Sequence, residues 1–382
     1  MKESWQIKHL GEVCLDFIVP QRDKPKAFDG DIPWCRIEDI EGKYLNGSLS
    51  GQKVTRALAD SMNMHICPKG TVICACSASI GNQAITTVDC YTNQTFIGIV
   101  PDPMLLYNEF LYFFLKSKKD ELISMGTGST IKYISRKKFV GLRIRIPSID
   151  EQQRIVDELD LLTGIIDKKN AQLRDLDAMA QSIFYEMFGD PIANEKGWKY
   201  CALKEVATIV GGSTPKTNIE EYWGGSNYWV TPAEIHKERY YGATERTISD
   251  LAVKSSNLTL LPVGTVLLSS RAPIGKVAIT TVPMYCNQGF KNIICSDRIN
   301  NEYICQALLC KTDYLQALGT GATFKEISKK TTENIKIAIP PLNLQVEFAT
   351  KVQKIEQQKV AISKSLIDAQ ALFDSKMSHY FE

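Results

Sequence analysis

Two stretches of the chain place apolar residues at steps of three, four or seven. In the first these are Ile155, Leu159, Leu162, Ile166, Leu173, Leu176, Ala180, Ile183 and Met187. In the second they are Phe348, Val352, Ile355, Ile362, Leu366, Ala369, Phe373 and Tyr380. This spacing predicts two helices, each with one apolar seam. Lys169 interrupts the first seam, and Lys359 and Lys376 occupy seam positions of the second. Asp150, with Gln153 three residues on, reads as the first helix's cap, and Gly189-Asp190-Pro191 as its stop. Pro340-Pro341 precede Asn343, which reads as the second cap. A helix of about 37 residues reaches roughly 55 Å. Neither stripe is stable in water alone. The two helices are therefore expected to pair, antiparallel; the alternative is that each packs on its own domain.

Elsewhere the pattern is shorter. Residues 70–77 and 264–270 are apolar runs that follow Pro-x-Gly and read as buried strands. Residues 83–88 and 277–282 read as returning strands. Asn108 and Asn301 begin helical patterns as candidate caps. Residues 142–146 alternate, with Arg143 and Arg145 on one face.

These signals occur twice because the chain is duplicated. Residues 70–96 match 264–290 at 15 of 27 positions without a gap, and 126–147 match 319–340 at 11 of 22. Trp5 corresponds to Trp198 and Leu10 to Leu203. By contrast, residues 14–64 and 207–258 share little beyond Trp34 with Trp229 and Ile40 with Ile235. A repeated frame carrying one different segment in each half suits one fold that reads two different things.

Composition changes this picture little. The 382 residues are 44% hydrophobic and 23% charged, which suits two or three folded domains. A net charge of +2 means that any basic footprint is local. The first residues lack a signal-peptide stretch, and the run Phe110 to Leu115 is far shorter than the roughly 20 residues that cross a bilayer. A cytoplasmic protein without a membrane partner is expected. The eleven cysteines form no C-x-x-C pair and read as buried thiols rather than a zinc site.

No nucleotide-binding loop, zinc-protease motif or nucleophile elbow is present, and the four histidines do not recur between the halves. Binding chemistry is better represented. Thr127, Ser129, Lys132, Arg136 and Lys137 follow or lie within a Gly-Thr-Gly loop, as do Thr320, Thr323, Lys325 and Lys329. Glycine amides, hydroxyls and cations suit phosphate oxygens. The divergent segments offer Arg22, Lys24 and Arg36, then Thr214, Lys216 and Thr231, for base edges. Trp34 and Trp229 correspond and read as core. Asn93-Gln94 and Asn287-Gln288 recur and read as fold-determining.

The order of motifs resembles the specificity subunit of type I restriction–modification systems. The second half carries Gly211-Gly212-Ser213-Thr214-Pro215, Trp229-Val230-Thr231-Pro232, Leu261 through Arg271, Asn287-Gln288-Gly289-Phe290, Gly319-Thr320-Gly321, and Pro340-Pro341-Leu342 to Gln345. The first half carries Gly70-Thr71-Val72, Asn93-Gln94, Gly126-Thr127-Gly128, Ile146-Pro147 and Glu151-Gln152. It departs in having Ser148-Ile149 after Pro147 and in lacking the Gly-Gly-x-Thr-Pro opening; in the second half Leu344 replaces a glutamate.

The resemblance implies an α+β chain of two homologous, strand-rich target recognition domains (1–147 and 191–340). Two spacer helices (148–190 and 341–382) would pack as an antiparallel coiled coil with pseudo-two-fold symmetry. Arg271 joins the candidate DNA contacts. The chain would catalyse nothing and hold no metal or cofactor. It would bind double-stranded DNA and two adenine methyltransferase subunits, through Gln152, Ile155, Leu159, Gln345, Phe348 and Val352. Partner subunits, including a restriction motor, would bring S-adenosylmethionine, ATP and Mg. A single-chain nuclease or methyltransferase, and an adaptor that binds no nucleic acid, are the competing readings.

Overall fold

Every side chain of the strand Val72–Ala75 is buried. Val72 and Cys74 point into a core with Phe110, Phe114 and Ile155, and Ile73 and Ala75 into another with Cys35, Leu45 and Phe96. A strand covered on both faces needs apolar residues at every position, which is why the sequence runs apolar there without alternation. The computed structural model describes residues 5–20, 23–128, 132–236, 238–271, 273–321 and 325–382.

The chain divides into two compact units, one of residues 1–168 and 365–382, the other of residues 169–364. The first unit contains a five-stranded sheet in the order Cys14–Ile18, Phe96–Pro101, Val72–Ala75, Gln83–Thr86, Tyr44–Leu45. Its last strand joins parallel and the others pair antiparallel. Lys53–Val54, Ile32–Cys35 and Tyr91–Thr92 form a second sheet, and Gln6–His9 pairs with Arg143–Ile146. The second unit repeats all three. Its five-stranded sheet runs Ala207–Gly211, Lys291–Cys295, Val266–Leu268, Val277–Thr280, Tyr240–Tyr241. Its three-stranded sheet is Arg246–Ile248, Trp223–Val230, Tyr285–Cys286, and Tyr200–Ala202 pairs with Lys336–Ala338. The segments that diverge in sequence are therefore not separate insertions. They supply strands to both larger sheets of each unit, in the same order.

The Pro-x-Gly-Thr motif explains itself in both copies. The Thr71 and Thr86 hydroxyls donate to the Pro68 carbonyl at 2.6 and 2.8 Å, and those of Thr265 and Thr280 to the Pro262 carbonyl at 2.7 and 2.9 Å. Asn108 and Asn301 lie one residue inside their helices rather than at the cap. Their amides donate to the carbonyls of Gly70 (3.4 Å) and Gly264 (3.0 Å) and tie helix to turn.

The two long helices span Ile149–Phe188 and Leu342–Phe381, 40 residues each. They begin before the expected caps. Asp150 and Asn343 lie in the first turns, and the Ser148 hydroxyl accepts from the Glu151 N–H at 3.4 Å. The helices pack on each other, antiparallel: in the second unit Asp177 meets Lys359 while Phe184 meets Phe348. The two lysines at seam positions of the second helix form its ion pairs. Lys359 reaches Asp177 at 2.7 Å and Glu356 at 3.0 Å, and in the first unit Lys376 reaches Glu158 at 2.6 Å. Hydrogen bonds from Lys376 and Tyr380 hold the Glu158 carboxyl below the usual range.

Each unit takes the beginning of one helix and the end of the other. Ile155, Leu159 and Leu162 share the first core with Phe373, Met377, Tyr380 and Phe381. Phe348 and Val352 share the second with Phe184 and Phe188. Rings of Phe110 and Phe381 lie 5.1 Å apart, and Phe184 packs on Tyr303 at 5.6 Å and Phe348 at 5.5 Å. Emptying either aromatic site leaves a cavity. Phe184→Ala and Phe381→Ala are each expected to lower the unfolding free energy by about 3–5 kcal/mol in urea titrations, with no change at exposed Met179→Ala beyond about 0.5 kcal/mol.

Candidate nucleic-acid interface

The recurrent polar motifs converge in each unit through backbone bonds. In the first, the Asn93 N–H donates to the Cys35 carbonyl at 3.1 Å and the Cys76 N–H to the Thr95 carbonyl at 2.8 Å. The Cys76 carbonyl accepts from the Ile134 N–H at 2.8 Å, and Thr127 and Tyr133 exchange bonds at 3.1 and 2.9 Å. Four segments thus lie side by side: Cys35-Arg36, Asn93–Thr95, Cys76-Ser77 and a hairpin closed by Thr127 and Tyr133. The second unit repeats this strip. Asn287 donates to Val230 (3.1 Å), Ser270 to Gly289 (2.8 Å) and Ile327 to Ser270 (2.9 Å), and Thr320 and Glu326 exchange bonds at 3.1 and 2.9 Å.

The Gly-Thr-Gly loops open these hairpins. Gly128 and Gly321 have φ of +132° and +127°, which side chains beyond glycine rarely adopt. Lys132 and Lys325, next to Tyr133 and Glu326 in sequence, are exposed.

The Asn-Gln pairs divide their labour. Asn93 accepts from the Thr95 hydroxyl at 2.5 Å and Asn287 from the Gly289 N–H at 2.9 Å, so the asparagines set the turn. Gln94 and Gln288 are exposed. Reading both residues of the pair as fold-determining is correct for the asparagines alone. The signal for the glutamines was their recurrence without an apolar context.

The Gly211–Pro215 segment lies against this turn in the second unit. Ser213 donates to the Cys286 carbonyl at 3.0 Å, and the Thr214 hydroxyl donates to the Gln288 carboxamide.

The sequence matches the type I restriction modification DNA specificity domain twice, over residues 2–175 and 195–369. The chain belongs to this family. Among its relatives, the type I restriction enzyme MjaIX specificity subunit of Methanocaldococcus jannaschii is 41% identical over 159 residues, 41% of this chain and 37% of that protein. The HindI specificity subunit of Haemophilus influenzae is 24% identical over 357 residues, 72% of this chain and 77% of that one. The first alignment thus spans little more than a third of its relative. In fold, the chain resembles the type I restriction–modification S subunit from M. genitalium, with a TM-score of 0.62 and 14% identity over 99% of this chain and 96% of that one. It also resembles a chain of another type I system, with a TM-score of 0.59 and 21% identity over 99% and 97%.

Within the two specificity domains the expected contact residues separate. Arg36, Thr127 and Lys132 lie on the first strip, and Thr214, Thr231, Arg271, Thr320 and Lys325 on or against the second. Arg36 is half-buried, pairs with Glu38 at 3.0 Å and stands 5.9 Å from the Trp34 ring. Thr231 is committed internally, since its N–H and hydroxyl donate to the buried Glu234 at 2.8 and 2.9 Å. Arg136, Lys137 and Lys329 are exposed on the short helices that follow the hairpins. Arg136 lies 3.5 Å from Asp16. Lys24 stands over Phe28, itself packed on Trp34, and Lys216 is exposed after the glycine-rich segment. Both Trp34 and Trp229 are core, 4% and 2% exposed. Arg22, Ser129 and Thr323 lie outside the described residues.

The expected partner-binding residues require correction. Gln152, Ile155, Leu159, Gln345, Phe348 and Val352 are all 0% exposed. Gln152 accepts from the Tyr107 N–H (2.8 Å) and donates to the carbonyls of Leu105 and Pro147 (both 3.0 Å). Gln345 accepts from Asn300 and donates to Pro340, both at 2.8 Å. The motif that looked like a docking surface is the joint between sheet domain and helix, where loop groups would otherwise be buried unpaired.

Among the described residues no group of three or more His, Cys, Asp or Glu could hold a metal, and no helix is long and apolar enough to cross a membrane. Burial pushes the thiols of Cys67 and Cys286 up to about 12, far from a nucleophile's range.

Gly212 is the tightest point of the second strip: a Cβ there would stand 2.1 Å from the Asn287 carbonyl and 2.3 Å from that of Cys286. At Gly211 a Cβ meets nothing within 4 Å. Gly212→Ala is expected to cost about 1–3 kcal/mol of stability and Gly211→Ala close to none, read by thermal denaturation of the two variants side by side.

Proposed function

We propose that this chain is the DNA-specificity subunit of a type I restriction–modification enzyme, each domain reading one half of a bipartite target in double-stranded DNA. The observation that carries this reading is the duplicated strip. Two domains of one topology, matched by one family, present the same ordered loops with different side chains between them. One fold can then address two sequences. Recognition domains at 1–147 and 191–340, with spacer helices at 148–190 and 341–382, are the division this function requires.

Phosphate contacts position a protein on a duplex and base contacts specify. Residues common to both strips are assigned to positioning: Thr127 and Thr320, Lys132 and Lys325, Gln94 and Gln288. Half-sites read from one side of a duplex lie roughly one turn, 34–36 Å, apart or a multiple of it. A 40-residue helix, about 60 Å at 1.5 Å per residue, has the length for such a spacer.

Catalysis belongs to partner subunits in the cytoplasm: two adenine methyltransferase subunits with S-adenosylmethionine, and a restriction motor using ATP and Mg. With the seam residues closed inside the chain, docking falls to the exposed apolar positions of the long helices. Leu161, Val360 and Ile367 are 66%, 70% and 68% exposed, which is costly on a helix that meets only water.

The test is an exchange. Replacing residues 14–64 with the corresponding segment of another specificity subunit, in the complete methylating complex, should change one half of the methylated sequence and leave the other intact. Methylation of an unchanged sequence would overturn the assignment of that segment. A gel-shift experiment that showed no shift, with or without the methyltransferase, would overturn DNA recognition itself and favour the adaptor reading.

A further inference from the structure

The two strips differ at several places, among them Arg36 against Thr231, Cys76 against Ser270 and Thr95 against Gly289, and three further differences lie together in the second domain. Ser77 corresponds to Arg271, Ile97 to Lys291 and Tyr133 to Glu326, while Asn93-Gln94 and Asn287-Gln288 are unchanged. A side chain present in both domains cannot tell one half-site from the other; one present in a single domain can.

The second domain's three substitutions form one built group. Arg271 Nε donates to Glu326 Oε2 at 2.9 Å, and Lys291 Nζ donates to Glu326 Oε1 at 3.1 Å and meets the Ser270 hydroxyl at 3.2 Å. Arg271 and Glu326 are also bridged through their backbones. Lys291 is 12% exposed at its side chain and Arg271 47%. Burial acts to raise the Glu326 carboxyl, but the hydrogen bonds and charges of Arg271 and Lys291 outweigh it and hold it low. With both oxygens engaged, Glu326 has little left to offer a base. Arg271 is held through Nε alone, and its two terminal nitrogens have no partner among the described residues. A guanidinium fixed by Nε presents the fork that fits N7 and O6 of guanine.

We infer that Arg271 reads a guanine in the major groove of the second domain's half-site, with Glu326 as its positioning residue and the part-buried Lys291 as the counter-charge on that carboxylate. The first domain has Ser77 and Tyr133 at these places, so no arginine stands at the corresponding position. This rests on the DNA-specificity reading.

The experiment uses the whole methylating complex. Sequencing the bases it methylates tests the underlying reading: with no interrupted target, that reading falls. With a target in hand, methylation rates are compared on duplexes carrying the mapped site and single base-pair replacements. Arg271→Ala should relax one G·C position in one half only, lowering discrimination there about 5- to 150-fold, with the other half unchanged. Arg271→Lys keeps the charge without the fork and should relax the same position; it also serves if the alanine variant fails to assemble. Glu326→Gln should broaden that position while the melting temperature holds. Unchanged preference in both Arg271 variants would overturn the inference, as would equal weakening on all duplexes with the salt slope reduced by about 1, the signature of a phosphate contact. Retained discrimination in Arg271→Lys would overturn the fork, and an unmoved preference in Glu326→Gln its positioning.

Discussion

Aromatic residues at the end of each long helix close a core that the helix did not begin in. Phe373, Met377, Tyr380 and Phe381 complete the first unit, and Phe184 and Phe188 the second. Each such side chain contributes roughly 1.5–3 kcal/mol on leaving water, a large share of a typical domain's net stability. The consequence is that the long helices cannot be detached features. A sheet domain with its own helix root alone lacks the rings of Phe373 and Phe381 that pack on Phe110, Phe113 and Phe114. Within each unit the pairing of the two helix segments is thereby part of the core.

That coupling accounts for what the sequence is free to vary. Residues 14–64 and 207–258 hardly resemble one another, yet they supply the same strands to the same sheets. The constraint on them is burial at particular positions, such as Phe17, Cys35 and Leu45 in the first and Ile209, Val230 and Ile235 in the second. A tryptophan fills each three-stranded sheet, at Trp34 and Trp229. A glycine permits close approach of backbone, at Gly30 against Val54 and Gly225 against Ile248. Between these points the solvent-facing positions carry no packing duty. Divergence there does not cost the fold, so it can be used to address a different surface.

The same reasoning explains what was legible beforehand. The helices, their pairing and the buried strands were readable because burial imposes a period, and duplication made each signal appear twice. Two kinds of feature were not. The seam lysines looked like defects because their partners, Asp177 and Glu158, lie on the facing helix, and a sequence pattern shows one helix at a time. Gln152 and Gln345 looked like surface residues because polarity suggests exposure; only the structure shows loop groups that need them as internal partners. The caps were misplaced by one or two residues for a related reason, since Asp150 and Ser148 are equally plausible until backbone geometry chooses. Of the candidate contacts, recurrence located the hairpins but could not show that the Thr231 hydroxyl is spent on Glu234 and that of Thr214 on Gln288.

Identity and difference between two copies of one fold therefore carry separate information. Where the copies agree on an exposed residue with no role in the turn, as at Gln94 and Gln288, the common factor is whatever both domains meet alike. Where they differ within an otherwise superposable frame, as at Ser77 and Arg271, the frame holds the difference in a known place. The part-exposed Arg271–Glu326 pair is of the kind that stabilises a fold by about 0–1 kcal/mol, so stability is a weak reason to place Arg271 in one domain and leave it out of the other. What the trio does accomplish is to hold one guanidinium in one orientation before anything binds, so that little side-chain freedom is left to lose on contact.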